Sequence, residues 1–208
     1  MVCGYRRAQA TDDKPQTGAQ GPAPFPKPPV EPDRNIRENP EMKEEKLRDE
    51  LYAAFKNRAM MYYHIFEELR AEIGDERAER IMKRAIRKRG LEIGRKFAPF
   101  GPTDLAGLKD AFVSAVPDGG RMFDPEVVGC DENRLEIHLR RCPLKDAWQE
   151  AGLDDTQVAK LCDIAAAVDT GTFEGAGFCF AAETWRPGQS GCCRLHITPG
   201  RQDFTGAR

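Results

Sequence analysis

The 208 residues carry 32 Lys+Arg against 34 Asp+Glu, a formal net charge of −2, with 40% hydrophobic and 32% charged residues. That length suits one domain with a buried core, and the near balance of charge gives no bulk field to attract nucleic acid or anionic lipid. No run reaches the roughly 18–20 apolar residues of a membrane span, and Met1 to Ala10 holds charge where a secretory signal needs an apolar segment, so the expected location is cytoplasmic.

Residues 1–40 are rich in Pro and poor in apolar residues, which predicts a disordered or extended arm whose PFPKPP stretch suits polyproline II. A single domain is expected over 41–199, followed by a flexible tail at 200–208. Leu47, Leu51, Phe55, Arg58, Met61 and Ile65 follow helical spacing, and Gly74 supplies a stop. Asp75 opens a second helix with Ala78, Ile81, Met82, Ala85 and Ile86 inward and a basic outer face. Gly90 and Gly94, one turn apart, either fray its end or let another backbone approach closely. A third helix begins after Pro102-Thr103-Asp104 and closes at Pro117-Asp118-Gly119-Gly120.

The period then changes from helical to alternating. Glu126–Cys130 and Arg134–Arg141 read as a hairpin, with Leu135, Ile137 and Leu139 on one face and Glu136, His138 and Arg140 on the other. A short helix follows Cys142-Pro143, and Asp154 with Gln157 forms a capping box for another over Val158 to Val168. After Asp169-Thr170-Gly171, which reads as a loop, Phe178–Trp185 and Cys192–Thr198 make a second hairpin. The fold expected is α+β, with N-terminal helices packed on one face of an antiparallel sheet made of two hairpins and an inserted helical segment.

No GxGxxG, P-loop, HExxH, GxSxG or CxxC motif is present. Six of the seven cysteines and two of the three histidines fall between Cys130 and His196. An odd number of cysteines without an export signal predicts free thiols. Cys142 stands where the first amides of a helix favour a thiolate, so it is a candidate nucleophile, with a buried structural thiol as the alternative. Cys162 lies in an apolar stripe and reads as packing. Strand alternation puts Cys193 with Leu195 and Ile197, and Cys192 with Arg194 and His196. Strand pairing could bring His138 or His196 beside a cysteine.

The succession RRCPLKDAWQEAGL, LCDIAAAVDTGTFEGAGF and GQSGCCRLHI, after YAAFKNRAMMYYHIFEELRAEIGDERAERIMKRAIRKRG, resembles the L-2-amino-thiazoline-4-carboxylic acid hydrolase family over roughly Leu47 to Ile197. The matching features are a cysteine before a short helix (Cys142), a Leu-Cys pair opening an acidic helix (Leu161, Cys162, Asp163), and a cysteine after a glycine-containing turn (Cys193). The resemblance implies that water adds at the amidine carbon of an aminothiazoline and that the ring opens toward S-carbamoyl-cysteine.

On that reading Cys142 or Cys193 is the nucleophile, His138 or His196 carries the proton, Asp163 orients, and Arg140 or Arg194 receives a substrate carboxylate. No cofactor is expected. In the zinc alternative, Cys142, Cys162 and Cys193 hold the metal with a histidine. A third reading is a non-enzymatic domain that binds a small ligand or senses redox state through its thiols. The partner expected is a small-molecule substrate, with neither nucleic acid nor membrane, and the long aromatic-bearing helix also suits a homo-oligomer.

Overall fold

The computed structural model describes residues 40–200, so the expected arm and tail lie outside the described residues apart from Pro40 and Gly200. Helix α1 (Pro40–Ile73) ends at Gly74, whose φ of 82° favours a residue without a β-carbon, and α2 (Asp75–Gly94) starts at once. Helix α3 (Leu105–Ser114) is capped by Asp104, whose carboxylate accepts from the Gly107 N–H at 2.8 Å. Three short helices follow in succession: α4 (Pro143–Glu150), α5 (Asp155–Ala165) and α6 (Ala167–Gly175). The capping box of α5 is complete. Asp154 accepts from the Gln157 N–H at 2.9 Å, and the Gln157 side chain accepts from the Asp154 N–H at 3.1 Å.

Strands β1 (Pro125–Cys130), β2 (Leu135–Leu139), β3 (Cys179–Glu183) and β4 (Arg194–Thr198) form one antiparallel sheet in the order β1-β2-β4-β3. Two hairpins therefore lie side by side, joined through β2 and β4, with α4 to α6 inserted between them in the chain. Leu135, Ile137, Leu139, Leu195 and Ile197 are buried in the core shared with the helices, while the residues alternating with them are less covered. This is the α+β arrangement that the alternating pattern implies.

Helices α2 and α6 pack backbone to backbone. A β-carbon on Gly90 would fall 2.8 Å from the Cα of Gly171, and one on Gly171 would fall 2.9 Å from the Cα of Gly90. Gly94 continues the contact against the Thr172 carbonyl carbon and Ala176. Of the two readings open for Gly90 and Gly94, close approach is the one observed. The segment Asp169-Thr170-Gly171 lies inside α6 and is not a loop. Its turn-like composition is overridden by packing, since glycine is what lets this helix sit so near α2.

The basic face of α2 is largely paired with acids. Lys83 meets Glu79 at 2.7 Å and Asp163 at 2.5 Å, Arg87 meets Glu174 at 2.6 Å, and Arg89 meets Glu92 at 2.6 Å; from α5, Lys160 reaches back to Glu79 at 2.6 Å and Asp75 at 3.2 Å. On α1 the buried positions are Ala59 and Phe66, whereas Leu47, Met61 and Ile65 of the expected inward stripe are exposed. The indole N–H of buried Trp148 fixes α4 to α1 by donating to the Ala59 carbonyl at 2.9 Å. No helix among the described residues is long and apolar enough to cross a membrane.

Replacing Gly171 by Ala should destabilise the protein by about 1–3 kcal/mol in urea unfolding, because overpacking at a backbone contact outweighs the gain in helix propensity of about 1 kcal/mol. Gly129→Ala, where an added β-carbon meets nothing nearer than the end of Arg134 at 3.8 Å, should change stability by less than about 0.5 kcal/mol. Equal effects would remove the close-approach account.

Candidate functional site

A cavity of about 270 Å³ opens among α1, α3, α4, α5, α6 and the segment leading into β4. Its polar lining consists of Arg58, Asp169, Thr172 and four cysteines, Cys142, Cys162, Cys192 and Cys193. Aromatic rings supply much of the rest, with Phe55, Phe97, Phe112, Phe123 and Trp148 all contributing. All six cysteines of the described residues are free thiols.

Cys142 is the N-cap of α4, in extended conformation, with Pro143 at the first helical position. The amides of Leu144 and Lys145 face its sulfur without a side-chain cap hydrogen bond. A hydrogen bond from Cys192 and those amides lower its pKa against the opposing effect of burial. The thiol of Cys192 moves the other way. It is raised because Cys142, Cys162 and Cys193 all surround it as hydrogen-bond partners, with burial adding to the shift. The sulfurs of Cys192 and Cys193 are 3.3 Å apart.

Asp169 is the one carboxylate on the cavity wall. Burial pushes its carboxyl up to about 7, against a smaller downward pull from the charge of Arg58. Arg58 is exposed at the mouth, its guanidinium 4.4 Å from the ring centroid of Phe55. Among the described residues, no hydrogen bond or ion pair to a protein acceptor holds it.

The structure gathers Cys142, Cys162 and Cys193 around this cavity and leaves the other expected residues outside it. His138 follows inward Ile137 in β2, so alternation turns it to the far side, with Nδ1 3.9 Å from Glu126, where it lines a second, polar pocket that Cys192 and Arg194 also line. His196 is on the same outer face, its Nε2 3.1 Å from Glu183. Asp163 leaves α5 toward α2, where Lys83 takes it. Arg140 pairs with Asp124 at 3.0 Å and Arg194 with Glu136 at 3.4 Å, both away from the cavity. Cys192, expected on the polar face with Arg194, lines the polar pocket beside Arg194 and also the cavity. It precedes the regular part of β4, where its N–H donates to the Leu139 carbonyl at 2.9 Å and the Leu139 N–H donates to the Cys193 carbonyl at 2.8 Å. Strand alternation therefore does not govern the pair, and both thiols are buried. The zinc set finds no ready-made geometry: among the described residues no three His, Cys, Asp or Glu side chains could hold a metal ion together.

Arg58, Asp169 and Cys192 are the cavity groups that sequence reasoning missed. Two carried a signal. Arg58 is a charge within an apolar helical stripe, and Asp169 is a lone carboxylate among AAAV and small residues. Residues 54–197 match the model of a family described as L-2-amino-thiazoline-4-carboxylic acid hydrolase, in agreement with the resemblance read from the sequence. No curated protein matches the chain.

Because Asp169 holds its proton more tightly folded than unfolded, the unfolded chain ionises first as pH rises. Its contribution is therefore neutral below about pH 4, falls between there and about 7, and is level above, with a slope of at most about 1.4 kcal/mol per pH unit. Chemical denaturation at pH 4 to 8 should show wild type losing stability relative to Asp169→Asn across that window. Parallel curves would mean that the carboxyl is not held neutral.

Proposed function

The chain belongs to the L-2-amino-thiazoline-4-carboxylic acid hydrolase family, and on that premise we propose that it opens a thiazoline ring by cysteine-based hydrolysis within this cavity. The observation that carries the reading is Cys142, a sulfur with a lowered pKa at a helix N-terminus, sharing one cavity with a neutral carboxyl and an unpaired guanidinium.

The Cys142 thiolate adds to C2 of the ring, and the electron pair of the C=N bond passes to the ring nitrogen, which takes the proton of Asp169. A second proton, returned to Asp169 from solvent, lets that nitrogen leave as an amine when the C–N bond breaks. The enzyme then carries the former C2 on the Cys142 sulfur. Water adds to that carbon, the Cys142 thiolate departs, and a carbonyl forms, giving the S-carbamoyl amino acid with one water incorporated. Arg58, at the mouth, receives the substrate carboxylate as a charge-assisted pair. Cys192 keeps its proton and donates to the Cys142 sulfur, so it steadies the anion without competing as a nucleophile.

With L-2-amino-thiazoline-4-carboxylic acid as substrate, Cys142→Ala should lower kcat by at least about 10³-fold, and Cys193→Ala by about tenfold or less. Alkylation by iodoacetamide, resolved by peptide mass, should label Cys142 with a pH midpoint below the roughly 8.5 of a free thiol. Arg58→Gln should raise KM about tenfold or more with a smaller change in kcat. Full turnover by Cys142→Ala would remove the covalent route.

A further inference from the structure

Polar groups are unevenly distributed around the cavity, and the ligand class they select rests on the hydrolase reading above. Among the lining residues Arg58 and Asp169 are the only charged side chains. Two other polar groups are already engaged: the Trp148 N–H donates to the Ala59 carbonyl at 2.9 Å, and the Thr172 hydroxyl donates to the Val168 carbonyl at 2.8 Å. A bound ligand thus finds one guanidinium, one carboxyl and the thiols for its polar atoms.

The wall from the end of α2 to the end of α3 offers none. Ile93, Phe97, Phe112, Ala115, Val116 and Pro117 line it with carbon alone, and the rings of Phe97 and Phe112 lie 6.0 Å apart at 55°. The unsubstituted aminothiazoline carboxylate is polar at both ends, with an amidine and a carboxylate. It would satisfy the charged part and leave the carbon wall facing water that has no partners there. The volume says the same, since about 150 Å³ of apolar cavity accommodates a benzene ring and this cavity has about 270 Å³.

We propose that the cavity's ligand is a thiazoline carboxylate bearing an apolar substituent about the size of a phenyl ring, its carboxylate at Arg58 and the substituent on the Phe97, Phe112 and Val116 wall. Burial of such a group discriminates by the area it removes from water, so it separates the substituted ligand from the parent without any change at the reacting carbon.

The test compares 2-amino-thiazoline-4-carboxylate with its 5-phenyl derivative on the full-length chain, by calorimetric binding and by turnover. The phenyl compound should bind at least tenfold tighter, a difference of about 1.4 kcal/mol. In Phe112→Leu the ratio between the two affinities should shrink at least threefold. A gain below tenfold in the wild type overturns the proposal, whatever the turnover. An undiminished gain in folded Phe112→Leu overturns the placement on this wall. If the phenyl compound binds tighter but neither compound is turned over, the hydrolase reading fails and the apolar-substituted carboxylate stands as the cavity's ligand.

Discussion

The contact of Gly90 with Gly171 is the constraint on which the geometry of the cavity depends. Helices with ordinary side chains between them keep their axes about 8–10 Å apart. Here two opposed glycines and the adjacent Gly94 let α6 settle directly on α2. One side of α6 is thereby fixed against backbone, and Val168, Asp169 and Thr172 form a stretch of cavity wall. Were α6 displaced by a side chain at position 171, Asp169 would shift with it, because the helix moves as a body. A packing requirement on the opposite side of α6 thus sets where the one cavity carboxylate lies.

The two titrating groups that matter are pushed in opposite directions by different causes. Asp169 rises because it is desolvated and its nearest cation, Arg58, compensates only in part. Cys142 falls because hydrogen bonds to its anion outweigh the desolvation it also suffers. An acid that is half protonated near neutrality and a thiol biased toward its anion can coexist at one pH. In the proposed reaction such a pair would supply the proton donor and the nucleophile that catalysis at an amidine carbon requires. Neither group needs a histidine, which agrees with both strand histidines lying on the other face of the sheet.

How much can be read from the chain depends on whether the controlling interaction is local. The capping box at Asp154 and Gln157, the cap at Asp104 and the alternation through β2 act within a few residues, and all are legible. Cys142 is legible for the same reason, since Pro143 and the following helix are adjacent to it. Helix α6 is not, because its glycines suit a loop when considered alone and a helix only when α2 lies against them. Asp163 illustrates the converse error. Its position beside Cys162 suggests a shared site, but neighbouring residues on a helix project about 100° apart, and Lys83 of α2 takes the carboxylate instead. For Cys192 and Cys193 the alternation rule fails just ahead of the regular strand, where the backbone bonds to Leu139 bring both thiols inward.

The placement of charge among the four thiols follows from the amides of α4. Burial disfavours a thiolate, and a second anion nearby disfavours it more. Cys142 has backbone N–H groups on it, from Leu144 and Lys145, with the partial positive charge of a helix start behind them, and these favour its thiolate. Once it forms, Cys192 is its donor, and giving up that proton would both break the hydrogen bond and set two anions side by side, which is why Cys192 is shifted upward as Cys142 is shifted downward. Cys193, 3.3 Å from Cys192, and Cys162 add partners to the protonated group. The eight-residue helix beginning at Pro143, already legible in the sequence, is what sets Cys142 apart from Cys193 in the proposed reaction.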